Sequence, residues 1–69
     1  MATTMFFEDR ILDKERKTDA MDIEFGRSSF YKEDLVYLTV DGHTVIMNEE
    51  QGKSFCESMR RLGDYLGYK

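Results

Sequence analysis

Residues 34–48 read Asp-Leu-Val-Tyr-Leu-Thr-Val-Asp-Gly-His-Thr-Val-Ile-Met-Asn, and this stretch decides the fold of the chain. Two β-rich runs flank Asp41-Gly42, the strongest short-range signal for a β-hairpin. A type I′ turn at this dipeptide sets Val40 opposite His43, and the rest of the register follows from that pair. One face, called the aliphatic face, then carries Val36, Leu38, Val40, Val45 and Met47. The other, called the mixed face, carries Leu35, Tyr37, Thr39, Thr44, Ile46 and Asn48.

The two faces predict different surroundings. The aliphatic face has almost no polar side chain, so we expect it to form the core. On the mixed face, Leu35, Tyr37 and Ile46 are too apolar to be wholly exposed. We expect either the N-terminal segment or a second subunit to cover them, and these three residues are the candidate oligomer face.

A helix is predicted directly after the hairpin, over about residues 49–66. Asn48 is a suitable N-cap and Gln51 occupies the third helical position, as in a capping box. Gly67 is suited to the C-terminal cap. The apolar residues recur at spacings of four, three and four, which predicts an amphipathic helix packed on one sheet face; they are Phe55, Met59, Leu62 and Leu66.

Three further expectations concern the helix surface. Cys56 lies on or beside the apolar stripe, so we interpret it as a buried small hydrophobe. Gly63 borders the same stripe, and a close approach of the helix to the sheet would explain it. Two i,i+4 ion pairs are expected on the exposed side; they are Glu49–Lys53 and Glu57–Arg61.

The first half of the chain gives weaker signals. Residues 21–25, Met-Asp-Ile-Glu-Phe, alternate strictly between apolar and acidic, which predicts a strand near 21–31. Residues 1–20 form a charged segment that we interpret as a flexible connector or a short helix, with an edge strand as a further alternative. Together these elements predict one α+β domain over residues 1–69, a three-stranded antiparallel sheet and a C-terminal helix.

The length, composition and charge of the chain exclude several classes of protein. Sixty-nine residues are near the lower limit for independent folding, which favours a homodimer or a hetero-complex. One cysteine excludes an internal disulfide, and one cysteine with one histidine cannot complete a structural zinc site. The sequence has no membrane-length apolar stretch and no secretory signal, so we expect a cytoplasmic protein. The net charge of −4 is spread along the chain, which disfavours direct nucleic-acid binding.

No catalytic pattern is present. His43 follows the hairpin turn, and the register places no nucleophile beside it. The glycine spacings match neither a P-loop nor a dinucleotide fingerprint. We therefore expect a non-enzymatic protein without a cofactor or a metal.

The leading functional hypothesis is a small protein-interaction module that docks on a larger protein. Scattered aromatic and acidic residues are the candidate contacts; they are Phe6, Phe7, Glu8, Asp9, Asp13, Asp22, Glu24, Tyr31, Tyr65 and Tyr68. Short acidic chains are common among accessory proteins of phages and mobile elements. The most concrete version is therefore an inhibitor that occludes the basic groove of a host nucleic-acid-handling or defence protein.

Two alternatives belong to different classes. One is a homo-oligomeric structural or assembly module that packs through Leu35, Tyr37 and Ile46. The other is a nucleic-acid-binding regulator that uses Lys53, Arg60 and Arg61 of the helix.

Overall fold

The computed structural model describes residues 2–68. It contains four strands and one helix: β1 (Thr3–Leu12), β2 (Ala20–Ser28), β3 (Leu35–Val40), β4 (His43–Ile46) and α1 (Glu49–Leu66). The strands form one antiparallel sheet in the order β1-β2-β3-β4. The predicted α+β class and the C-terminal helix are confirmed, but the sheet has four strands rather than three.

The β3–β4 hairpin has the predicted register. Val40 pairs with His43 and Leu38 pairs with Val45. Asp41 and Gly42 have φ values of 49° and 85°, the two positive angles that a type I′ turn requires. The turn also ties the hairpin to β2, because the Asp41 carboxylate accepts a hydrogen bond of 2.9 Å from the backbone N–H of Asp22.

β1 corrects the interpretation of the N-terminal segment as a connector or a short helix. Thr3–Leu12 is a ten-residue edge strand that pairs with β2 along almost its whole length. The Phe7 and Phe25 rings stack across the two strands, with centroids 5.1 Å apart. On the opposite face, Arg10 forms a 2.9 Å ion pair with Asp22. Three charged residues of this segment, Glu8, Asp9 and Arg10, lie on the exposed edge strand, as is common for strands that must not pair further, and the other charged residues lie in the β1–β2 turn.

A bulge in β1 explains Gly26. The register shifts between Met5 and Phe7, so Phe6 is the extra residue. A Cβ atom at Gly26 would lie only 2.1 Å from the Thr4 carbonyl oxygen and 3.1 Å from the Met5 Cα. Only glycine lets the bulged backbone approach β2 this closely.

α1 begins and ends at the predicted caps. The Asn48 side chain accepts a 2.8 Å hydrogen bond from the Gln51 N–H, and Gly67 closes the helix with φ 78°. The predicted Glu49–Lys53 ion pair forms at 3.1 Å, whereas Arg61 approaches Ser58 Oγ at 3.5 Å.

The contact between α1 and the sheet lies at the start of the helix. A Cβ at the buried Gly52 would lie 3.3 Å from a Val36 methyl group, whereas a Cβ at Gly63 would meet no described atom within 4 Å. The close approach predicted at Gly63 is therefore wrong, and Gly52 supplies it. Among the described strands only β3 makes substantial contact with α1, so the helix leaves most of the sheet uncovered.

The core that results is thin. Among residues 2–68, Tyr37 is the only hydrophobic side chain that is buried, at 4% exposure. The aliphatic face, predicted to be core, is at best half-buried, and Val45 is exposed. The radius of gyration is 13.6 Å, against about 11 Å for a compact chain of this length. The fold is therefore open on its aliphatic side.

Candidate protein-interaction surface

An apolar groove opens where β1, the aliphatic face and the start of α1 meet. Its volume is about 390 Å³. We call this site the apolar groove. The apolar side chains that line it are Phe6, Phe25, Val36, Phe55 and Met59. Gly26, Arg27, Asp34, Leu35 and Cys56 also line it.

Local structure positions each side chain that forms a wall of the groove. The bulge in β1 directs Phe6 outward, and this ring is 74% exposed. Phe25 is held in the floor by stacking on Phe7. The Asn48 cap and the Gly52–Val36 contact fix the first turns of α1, so that Phe55 and Met59 form the opposite wall.

Charged residues stand beside the groove. Arg27 lies 3.5 Å from the Asp34 carboxylate and also donates a hydrogen bond to Thr4 Oγ1. Cys56, predicted to be buried, is exposed here. Cys56 is exposed because α1 contacts the sheet only through the first turns of the helix, so this side of α1 is not covered. A groove with an apolar interior and charged groups beside it can hold an apolar side chain and orient the backbone that carries it.

Tyr37 belongs to the opposite, mixed face. Its hydroxyl donates a 2.5 Å hydrogen bond to the Glu24 carboxylate. That hydrogen bond, together with burial and the negative charges of Glu24 and Glu8, raises the pKa of Tyr37 to about 12. Tyr37 is therefore covered within the chain, and Leu35 and Ile46 beside it are half-buried. The candidate oligomer face predicted from the sequence is thus largely closed by its own strands.

The five acidic candidates do not all lie on one face. Glu8 and Glu24 are paired across β1 and β2 on the mixed face, and Asp22 is beside them with Arg10 as its partner. Asp9 lies in the row of Ile23 and therefore on the aliphatic face. The structure thus brings three of the five acidic candidates together, and one of the three is partly neutralised.

Asp13 has a structural role in the β1–β2 turn. Its carboxylate accepts hydrogen bonds from the backbone N–H groups of Arg16 and Glu15, and these bonds lower the pKa of Asp13. Arg16 also lies 3.3 Å from Asp19. Asp13 therefore closes a turn far from the apolar groove.

The tyrosine candidates are dispersed. Tyr31 lies in the β2–β3 connection and packs edge-to-face on Phe30, with ring centroids 4.9 Å apart. Tyr65 and Tyr68 are strongly exposed near the end of α1. The structure does not gather the three into one patch.

The basic candidates are interleaved with acids. Lys53 pairs with Glu49, and Lys53 and Arg60 line a concavity together with several carboxylates, which are Glu33, Asp34, Glu49 and Glu57. His43 is exposed at the end of the hairpin. A nucleic-acid phosphate backbone on this side of the helix would face both positive and negative side chains.

Within residues 2–68, no helix is both long and apolar enough to cross a membrane. The same part of the chain contains no cluster of three or more His, Cys, Asp or Glu side chains arranged to hold a metal ion. Comparison of the chain with protein-family models, curated proteins and solved structures gave no match. Its function is therefore inferred from the geometry of its own residues.

Sequence reasoning identified only part of the groove. The sequence predicts Phe6 as a partner contact, whereas it places Phe25 only in an alternating strand and Phe55 and Met59 on the helix stripe that packs on the sheet. Their apolar periodicity is the same whether a helix covers the sheet or only touches its edge. The signal that could have distinguished the two cases is Gly52, which marks the helix end where the approach is closest.

Proposed function

We propose that this chain is a non-enzymatic protein-interaction module that docks on a larger protein through the apolar groove. The observation that carries this proposal is one concave apolar site, lined by the exposed Phe6 and Met59 and by half-buried apolar side chains, which are Phe25, Val36 and Phe55. Exposed apolar patches that are bordered by polar residues are typical of interaction sites.

The groove fits an apolar anchor from a partner polypeptide. Phe6, Phe25 and Phe55 offer aromatic surface on three sides, which suits a single aromatic or large aliphatic side chain. Arg27 and Asp34 provide a donor and an acceptor next to it for the backbone of the same partner.

The acidic residues support a finer proposal about the partner. Glu8, Asp22 and Glu24 share the mixed face, so a basic partner would be attracted to that side of the chain. An inhibitor that occludes a basic groove of a nucleic-acid-handling protein fits this charge, although Arg10 reduces it. Because these acids lie on the sheet face opposite the groove, a partner that contacts both would have to extend around the edge strand β1.

The proposal is tested by capture of partners with a matched pair of variants. Phe6→Ser removes an exposed ring from the groove, and Phe30→Ser removes an exposed ring in the β2–β3 connection. Tagged wild-type protein and both variants are incubated with lysate of the natural source, and the captured proteins are quantified. We expect Phe6→Ser to reduce capture of a specific partner about tenfold or more, as loss of an interface anchor does.

The control variant must retain capture, because Phe30 lies outside the groove. Circular dichroism establishes that both variants keep the fold. The proposal is wrong if no captured protein is lost in the Phe6→Ser sample, or if both variants lose it equally.

A further inference from the structure

Two apolar surfaces remain uncovered beyond the groove. One is the distal stripe of α1, formed by Leu62 and Leu66, whose exposures are 49% and 48%. The other is the open half of the aliphatic face, formed by Leu38, Val40 and Val45, together with Ile23 of β2, which pairs with Val40; Val45 is 57% exposed. Neither surface belongs to the groove.

The chain does not cover one of these surfaces with the other. Among the described strands α1 is in substantial contact with β3 alone, and that contact lies at Gly52 and Val36. Leu62 is ten residues beyond Gly52, which corresponds to about 15 Å along the helix axis. The distal stripe therefore extends past its own sheet contact.

The accessible surface area indicates how much surface a partner would cover. The accessible surface is 5970 Å² for a chain of 8.2 kDa. A compact monomer of this mass exposes about 4,500 Å², so this chain has an excess of roughly 1,400 Å². If a dimer contact covered all of this excess, two copies would together remove about 2,800 Å², and obligate homodimers bury roughly 2,000–5,000 Å².

We propose that a second copy of this chain covers both surfaces. In this homodimer the distal stripe of each α1 lies on the open half of the aliphatic face of the other copy. One two-fold contact covers both surfaces at once, because each copy carries both an apolar helix stripe and an apolar sheet face. An unrelated partner would have to supply a sheet face and a helix stripe in the same relative position.

This inference goes beyond the proposed function, since it concerns other residues than the apolar groove. The groove opens between the β1 bulge and the first half of α1, and its lining shares no residue with the two surfaces of the proposed dimer. Failure of one proposal therefore leaves the other intact.

The test is the mass of the full chain by sedimentation equilibrium from low to high micromolar concentration. We expect wild-type protein to sediment as a dimer, with twice the 8.2 kDa mass of the chain. Leu62→Glu should sediment as a folded monomer, because its side chain is half-exposed in the single chain. Val45→Glu tests the aliphatic face in the same way. It replaces Leu62→Glu as the test if the Leu62→Glu variant fails to fold.

Ser54→Glu is the matched control, because it adds the same charge to α1 at an exposed position outside the apolar stripe. It should leave the dimer unchanged. The proposal is overturned if wild-type protein is a monomer throughout, if it forms a trimer or larger species, or if the dimer survives in a folded Leu62→Glu or Val45→Glu variant.

Discussion

At the scale of single residues, the Tyr37–Glu24 contact is the most constrained feature of the molecule. Tyr37 is the one buried hydrophobic side chain among residues 2–68, and its hydroxyl has a carboxylate acceptor at 2.5 Å. A hydrogen bond to a charged group typically contributes about 1.5–3 kcal/mol. In a chain with so thin a core, this contact helps to hold β2 to β3.

The pH dependence of this contact follows from the raised pKa of Tyr37. The pKa of Tyr37 in the folded protein, about 12, exceeds its ordinary value of 10.0, so the stabilisation is complete below pH 10 and is lost as the pH rises towards 12. We expect Tyr37→Phe to be less stable than wild type below pH 10, and we expect this difference to shrink between pH 10 and 12. Denaturant unfolding across this interval measures it.

Tyr31→Phe serves as the control, because Tyr31 is exposed in a loop. A stability difference between wild type and Tyr37→Phe that stays constant from pH 10 to 12 would contradict the assignment.

At the scale of elements, the pairing of β1 with β2 depends on Gly26. Gly26→Ala would place a methyl group against the Thr4 carbonyl, and forcing such a clash costs about 1–3 kcal/mol. Gly63→Ala is the contrasting variant, because a Cβ there meets no described atom within 4 Å. In a helix this change stabilises by about 0.5–1 kcal/mol.

Chemical denaturation of the two variants measures this contrast. Hydrogen exchange should also show that Gly26→Ala loosens β1 before the β3–β4 hairpin. Equal stability of the two alanine variants would mean that the β1 bulge does not lie against Gly26.

The elements that sequence reasoning predicted well are those with local signals. Asp41-Gly42 specifies a turn whose angles fix the β3–β4 register, and the Asn48 cap specifies where α1 begins. Both depend on residues within a few positions of each other. Neither needs knowledge of the rest of the chain.

The features that sequence reasoning missed are set by contacts distant in sequence. β1 becomes a strand because its backbone pairs with β2, and its charged residues give no clean alternation. The exposure of Cys56 depends on how α1 is placed against the sheet, which apolar periodicity does not encode. The groove arises from these two features together, so only Phe6 could be identified beforehand.

At the scale of the whole molecule, stability and assembly should be linked. The chain has few buried apolar side chains and roughly 1,400 Å² of surface beyond that of a compact monomer. In a dimer that surface is buried, so unfolding and dissociation become one event. A hundredfold rise in protein concentration should then raise the thermal midpoint by roughly 10 °C for two chains of this length.

Calorimetry across that concentration range measures the effect, with Leu62→Glu as the comparison. The variant should unfold at a lower temperature that is independent of concentration, because its folded form has no partner chain to lose. A wild-type midpoint that does not move with concentration would mean that the thin core of a single chain is sufficient, and that the open aliphatic face is stable in water.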